Sequence, residues 1–412
     1  MNTQDATQRT AVMIGAGNIG RGFIGAAFAA SGYETVFIDV DEKLVEEINT
    51  RGQYTVRTLL PDGSHDDVVV SGIRAVNGKD RQAAMEIAKA GICATAVGVR
   101  AMPNIAPMIA MGLTIRASNG AQPLNIIVCE NMIDAGAKLR SLVLDLLSTG
   151  ILPAVDSIAA FPEAVVGRMT PIQTPEMRAE DPLRICVEKY AFLPVDKAAF
   201  KGPVPAIDGM VPLDHFEYYV KRKLFIHNLG HAAVAYLGMI KGYKYISQAA
   251  GDAEILFLAD RAMHESAAAL NNENSGDTAN LNRSINSLLY RFSNSALGDT
   301  CERVGADPLR KLGSEDRLVG ALKNCDKFGL PYIYIAAAIA AAALVLEATF
   351  ETDKSLPSLA EITGLSTESE AYKTIMTLGT TCAMAASNGG GAAAITELRK
   401  TAVKMAGDIT IL

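Results

Sequence analysis

The pattern Gly15-Ala16-Gly17-Asn18-Ile19-Gly20 stands directly behind the apolar run 11–14 and opens a helical stretch. A G-x-G-x-x-G alone is weak, but between a strand and a helix it constrains everything around it. The first glycine permits a tight turn, the second lets backbone N–H groups approach a pyrophosphate, and the third lets helix and strand pack closely. The helix N-terminus adds its partial positive charge. The next strand-like run ends in Phe37-Ile38-Asp39, with the acid about 20 residues on, where it can accept hydrogen bonds from ribose hydroxyls and repel a 2′-phosphate. The expectation is an NAD site formed by Gly15, Gly17, Asn18, Ile19, Gly20 and Asp39, set against glycines that only make a turn. Thr95-Ala96-Val97-Gly98 closes a later strand. Val97 and Gly98 either offer backbone to the nicotinamide half or simply end the strand.

From residue 10 to about 161, β-branched runs (11–14, 35–38, 92–97, 125–128) alternate with amphipathic stretches, as in a doubly wound α/β Rossmann-type domain. The runs 54–59 and 67–70 flank Pro61-Asp62-Gly63-Ser64, which predicts a β-hairpin at the domain's edge. Between about 169 and 212 seven prolines break the periodicity, with strand candidates at 184–187 and 190–192. Beyond Leu213 the pattern is helix after helix. The expected domains are 1–205, binding NAD, and 206–412, all-α and carrying substrate and catalysis. Two domains suit 412 residues of which 49% are hydrophobic. The alanine-rich run 332–346 is closed by Glu347 and falls short of the about 20 residues that span a membrane, so it predicts a buried helix. Ser387-Asn388-Gly389-Gly390-Gly391 predicts a helix-breaking loop.

A net charge of −7 provides no basic field for DNA or RNA, so neither nucleic acid nor membrane is an expected partner. The six cysteines are scattered, without a C-x-x-C pair, and are expected to be buried thiols in a reducing, cytoplasmic setting. The polar opening residues lack the pattern of a secretion signal.

The chemical signal is Lys223-Leu224-Phe225-Ile226-His227-Asn228-Leu229-Gly230-His231. At the roughly 100° per residue of an α-helix, Lys223, His231 and Asn228 fall at roughly 0°, 80° and 140°, one broad stripe. A desolvated lysine can take the proton of an alcohol, and a carboxamide can donate to the oxygen as charge develops. The competing reading is a solvated lysine with a satisfied Asn–His helix contact. His227 and His231 also share the spacing of two zinc ligands, but no glutamate follows His227, no cysteine lies nearby, and no metal is expected.

The segments 15–25 (GAGNIGRGFIG), 95–98 (TAVG), 125–132 (NIIVCENM), 223–238 (KLFIHNLGHAAVAYLG) and 303–320 (RVGADPLRKLGSEDRLVG) resemble, in order, the long-chain polyol-specific dehydrogenases, the mannitol dehydrogenase family. The resemblance implies a Rossmann domain followed by a helical domain, no zinc, and reversible NAD-linked interconversion of D-mannitol 1-phosphate and D-fructose 6-phosphate. It places the general acid/base on Lys223, an oxyanion donor on Asn228, a partner histidine on His231 and a second donor on Asn131. Asn131 follows a strand's carboxyl end, where a turn asparagine is the plainer alternative. Around the fifth segment Arg303, Arg310, Lys311 and Arg317 are candidates for a substrate phosphate, or for salt bridges with Glu302, Glu315 and Asp316. The chain departs from the family at Gly167, where an acid is usual, at Leu229, where threonine is common, and at Ala321, where proline is usual. Related alternatives are another hexitol phosphate, a free hexitol or a ketohexuronate as substrate. An alternative of another class is an NAD-binding regulatory module without turnover.

Overall fold

Thr10–Ile14 (β1) is buried at every position, as a strand covered on both faces must be. Its side chains alternate between two cores. Ala11 and Met13 join Phe23, Phe28 and Phe37 on one side, while Val12 and Ile14 join Ile87, Ile109 and Leu139 on the other. The computed structural model describes residues 10–274, 278–350 and 356–407, in two compact units, Met1–Tyr219 and Val220–Leu412.

In the first unit β1 is followed by β2 (Glu34–Asp39), β3 (Gln53–Leu59), β4 (His65–Ser71), β5 (Ile73–Asn77), β6 (Ile92–Thr95), β7 (Leu124–Val128), β8 (Ala159–Ala160) and β9 (Ile185–Val187). The main sheet has the order β5-β2-β1-β6-β7-β8, parallel at every pairing. Counted within that sheet, the order is 3-2-1-4-5-6 of the dinucleotide-binding fold, which reverses direction at β1 and opens a crevice at the strands' carboxyl ends.

The predicted hairpin is present: β3 and β4 pair antiparallel from Gln53↔Ser71 to Leu59↔His65. Gly63 takes φ 83 at its tip. β9 adds to β3 in parallel. The expected strand at 190–192 is instead β10 at Leu193–Asp196, paired in parallel with β11 at Met210–Leu213. The aromatic residues that suggested the earlier run serve as packing, Tyr190 on Phe192 at 6.4 Å and Phe192 on Tyr219 at 6.3 Å.

The second unit's described residues are helical, apart from short turns and bridges. The alanine-rich helix Ile333–Thr349 is buried on all sides along most of its length, the pattern of a core helix. No helix among the described residues is long and apolar enough to cross a membrane. The side chain of Tyr332 does not cap this helix. The buried Glu265 reaches in instead and accepts from Tyr334 N at 3.0 Å and Ile335 N at 2.9 Å.

The sequence expectation fails at Ser387-Asn388-Gly389-Gly390-Gly391, which lies within the helical run Glu370–Ala406; only Gly390 leaves helical geometry, at φ 71 and ψ −171. A Cβ on Gly391 would overlap the carbonyl of Ile240. The glycines therefore kink the run and let it cross the helix Leu229–Lys241 at backbone contact.

Candidate active site

At the carboxyl end of β1, Gly15 has φ 98, and a Cβ there would meet Ala96 O at 2.6 Å. A Cβ on Gly20 would overlap the Gly15 carbonyl. Gly17 differs: it is exposed, and its Cβ position has nothing within 4 Å. Two glycines close the turn and the middle one leaves room for a ligand. The helix behind opens at Asn18 and passes into a π-helical turn, Gly20–Gly25, and the residue before it, Gly17, has no side chain with which to cap it. Its first N–H groups are thus free of side-chain competition for an anion.

Asp39 is partly exposed at the end of β2. Its Oδ2 accepts from Ala16 N at 2.7 Å, which ties the glycine-rich loop to the acid, and Oδ1 accepts from Asp41 N at 3.1 Å. An open glycine, an uncapped helix start and a braced carboxylate fit the pyrophosphate and ribose of NAD.

Two guanidiniums, the buried Arg21 and the half-buried Arg168, hold the loop and the helix behind it. Arg21 donates to Ala16 O at 2.7 Å and Leu183 O at 2.6 Å. Arg168 donates to Gly22 O at 3.1 Å and Glu188 O at 2.9 Å. Burial lowers both to about 10. At neighbouring Gly167, where the family usually carries an acid, a side chain would meet the Tyr190 ring at 3.0 Å. Tyr190 limits the room that acid would need.

Val97 and Gly98 follow β6, with Gly98 at φ 86. Both of their N–H groups donate to the buried carboxylate of Glu130, at 2.9 and 2.8 Å. Their N–H groups are therefore taken, and Gly98 O already accepts from Ala101 N at 2.9 Å, so the Val97 carbonyl and the second lone pair of Gly98 O are what they can offer a nicotinamide. Sequence reasoning missed Glu130, whose signal was its place directly before Asn131. Asn131 is exposed on the turn that Glu130 braces, past the carboxyl end of β7.

In the second unit Lys223, Asn228 and His231 lie on one continuous helical run, but Lys223–Asn228 is a π-helical turn that passes into the α-helix Leu229–Lys241. The α-helical angles given above therefore do not apply there. A wider i→i+5 turn rotates each residue by less than roughly 100°, which draws Asn228 back toward the face of Lys223. Lys223 sits deep enough that burial, with the charge of Arg317 added, lowers its ammonium from 10.5 to about 8.

His227 is buried, and burial, then Arg291, hold it well below its ordinary value. It packs on Phe292 at 6.0 Å, while His231 stacks on the same ring at 4.8 Å and 10°. Among the described residues no three His, Cys, Asp or Glu side chains gather as a metal ion would need.

His231 Nε2 stands 3.4 Å from Asp299 Oδ2. Burial lowers the histidine, opposed by Asp299. Burial raises Asp299, but His231 and Arg303 outweigh it and leave the carboxyl below its usual range.

The four basic candidates have different surroundings. Arg303 Nε donates to Asp299 Oδ1 at 2.6 Å. Arg310 pairs with Asp307 at 2.8 Å and Asp316 at 2.9 Å. Lys311 is buried and donates to the carbonyls of Val304 and Ala306, and burial lowers it to about 8. Arg317 pairs with Asp316 at 2.7 Å and is the one whose charge acts on Lys223, His227 and His231 together. Charge density in the sequence grouped them; the fold distinguishes them.

Residues 9–209 match the model of the mannitol dehydrogenase Rossmann domain, and residues 215–364 that of the mannitol dehydrogenase C-terminal domain. The chain belongs to the mannitol dehydrogenase family. It is an NAD-dependent polyol dehydrogenase, an oxidoreductase acting on CH–OH groups. Similar family members include mannitol-1-phosphate 5-dehydrogenase of Brevibacillus brevis, 40% identical over 81% of this chain and 85% of that protein. The enzyme of the same name from Lactiplantibacillus plantarum is 38% identical over 78% and 83%. Among solved structures, a D-sorbitol dehydrogenase in substrate-free form matches in fold with TM-score 0.76 at 16% identity, over 95% of this chain and 96% of that one. A Pseudomonas fluorescens mannitol 2-dehydrogenase matches with TM-score 0.73 at 17% identity, over 97% and 96%.

Proposed function

We propose that this family member interconverts D-mannitol 1-phosphate and D-fructose 6-phosphate, with Lys223 as the general acid/base. The substrate is carried over from its mannitol-1-phosphate 5-dehydrogenase relatives. The observation that supports the base is a lysine lowered to about 8 on the helical run that also carries Asn228 and His231. Such an ammonium is close enough to neutrality to accept a hydroxyl proton and return it, whereas a solvated lysine near 10.4 is not.

Bound NAD supplies the hydride acceptor. Gly15, Gly17, Asn18, Ile19 and Gly20 receive its phosphates, Asp39 its ribose hydroxyls, and Val97 and Gly98 border the nicotinamide half. The carboxamides of Asn228 and Asn131 donate to the substrate oxygen as negative charge develops, and His231 orients a substrate hydroxyl. For the substrate phosphate we assign Arg317 first. Its charge is the one of the four that acts on Lys223, His227 and His231 together; Arg303, Arg310 and Arg317 alike would share a carboxylate partner, and Lys311 serves the backbone.

The test follows NADH oxidation with fructose 6-phosphate, fructose and tagaturonate side by side. The proposal expects turnover with fructose 6-phosphate well above that with either unphosphorylated ketose. Equal or greater turnover with fructose or tagaturonate would overturn the substrate, and NADH binding with no reduction of any ketose would overturn catalysis.

A further inference from the structure

Asp299 has no place in the chemistry described so far, yet the fold holds its segment, 298–303, firmly against His231. Gly298 turns the chain at φ 58. The backbone of the next three residues is bonded to the start of another helix: Tyr245 and Thr300 form an antiparallel bridge, Ile246 N donates to Asp299 O at 2.9 Å, and Cys301 N donates to Lys244 O at 2.9 Å. Thr300 then caps Cys301–Gly305 by accepting from Arg303 N at 3.2 Å. Within this frame the Asp299 side chain is only 9% exposed, with Arg303 on one oxygen and His231 facing the other.

His231 Nε2 is buried and makes no hydrogen bond among the described residues. Its 3.4 Å separation from Asp299 Oδ2 is wider than the about 2.7–2.9 Å of a closed charge-assisted bond. The ring is fixed in plane by its stack on Phe292. The other charged or titratable groups acting on it are Arg303 and Arg317, and the ring of His227 packs beside it at 6.1 Å. Asp299 is the acid among them, and so the acceptor available to a proton on Nε2.

We propose that Asp299, itself held by Arg303, is a positioning residue that fixes His231 as the Nε2–H tautomer and leaves Nδ1 as the nitrogen offered to substrate. In a neutral imidazole the hydrogen bond made by one nitrogen decides the role of the other. Nδ1 is then an acceptor, and it orients a polyol by accepting a hydrogen bond from a hydroxyl group instead of donating one to the oxygen. That division leaves oxyanion donation to the carboxamides and proton transfer to Lys223. The inference rests on the reading of His231 as a substrate-orienting residue.

The tautomer is measured directly in the intact protein by histidine-selective ¹⁵N labelling and long-range ¹H–¹⁵N correlation. There are five histidines, and the His231→Gln variant assigns the signal. The expected result is Nε2–H on His231, a preference lost in Asp299→Asn. That variant should lower kcat by about 10- to 100-fold, the scale known for losing the carboxylate behind a metal-bound histidine, with NADH affinity unchanged. Asp299→Glu should restore part of both the tautomer and the rate. His231 as Nδ1–H in the unsubstituted enzyme would overturn the proposal whatever the Asp299 variants do. An unchanged tautomer and kcat in Asp299→Asn would do the same. If Lys223→Ala instead kept its kcat, the proposed function would fail while the tautomer result stood.

Discussion

Two π-helical turns, Gly20–Gly25 in the nucleotide unit and Lys223–Asn228 in the helical unit, put the same uncommon backbone to opposite uses. The first is half glycine, and side chains there would collide: a Cβ on Gly22 would meet Ile185 at 2.6 Å, and one on Gly25 would meet Phe37 at 2.5 Å. The function proposed for it lies in the backbone. The second carries lysine, histidine and asparagine, and the function proposed for it lies in side chains whose properties depend on what buries them. A backbone site is built from absences of side chain, which the sequence displays openly. A side-chain site depends on surroundings such as Arg317 and Asp299 that are distant in sequence.

The sharpest way to break that comparison is at the lysine. Lys223→Ala should lower kcat by about 10²- to 10⁴-fold, the usual cost of removing a general acid/base. NADH should still bind, because none of the proposed cofactor residues is altered; stopped-flow titration and steady-state rates separate the two effects. Next in size, Asn228→Ala should cost about 10²- to 10³-fold in kcat, as for the loss of one oxyanion donor. Unlike the lysine variant, it should keep the alkaline ionisation of the rate, since a carboxamide does not titrate.

The nucleotide end is sharpened by two substitutions at Asp39. Asp39→Asn retains an oxygen for Ala16 N but loses the charge, whereas Asp39→Ala loses both. Both should narrow the preference for NADH over NADPH, by about tenfold for one charge-assisted bond. Only the alanine variant should also weaken binding of both cofactors by loosening the loop. Equal use of both cofactors by the unsubstituted enzyme would contradict the role given to Asp39.

The smallest expected effect concerns stability and lies away from both turns. Burial raises Glu265 from 4.5 to about 8, against the backbone N–H groups it caps. The folded protein therefore holds this proton where the unfolded chain releases it. The contribution to stability is fully present below about pH 4.5 and is lost as pH rises through about 8. Thermal melts should fall by a few °C between pH 6 and 9 in excess of Glu265→Gln, which has no proton to lose. A Glu265→Gln melt that falls in parallel with the unsubstituted protein over this range would show that the carboxyl is already ionised.

Much of the nucleotide unit was legible because its rules are local. Gly15, Gly17 and Gly20 follow a strand, Asp39 ends the next one, and Pro61-Asp62-Gly63 marks the hairpin turn. Glu130 was not legible, because its task is to hold the N–H groups of Val97 and Gly98 across a strand pairing that only the folded sheet creates. In the helical unit the trio Lys223, Asn228 and His231 was visible as residue types, but the π turn carrying two of them was not. Local propensity has no strong signature for i→i+5 bonding. The glycines at 389–391 misled for a related reason. They read as a break in the chain, whereas they mark where one helix touches another's backbone.

The measurement closest to the central claim is the pH dependence of kcat for mannitol 1-phosphate oxidation, in the unsubstituted enzyme and in Lys223→Ala. Oxidation needs the lysine neutral, and the group is lowered to about 8. The rate should therefore climb through one ionisation near pH 8 and level off above it, and this step should be missing from the residual activity of Lys223→Ala. A flat profile between pH 7 and 9, or a step that persists in the variant, would mean that another group carries the proton.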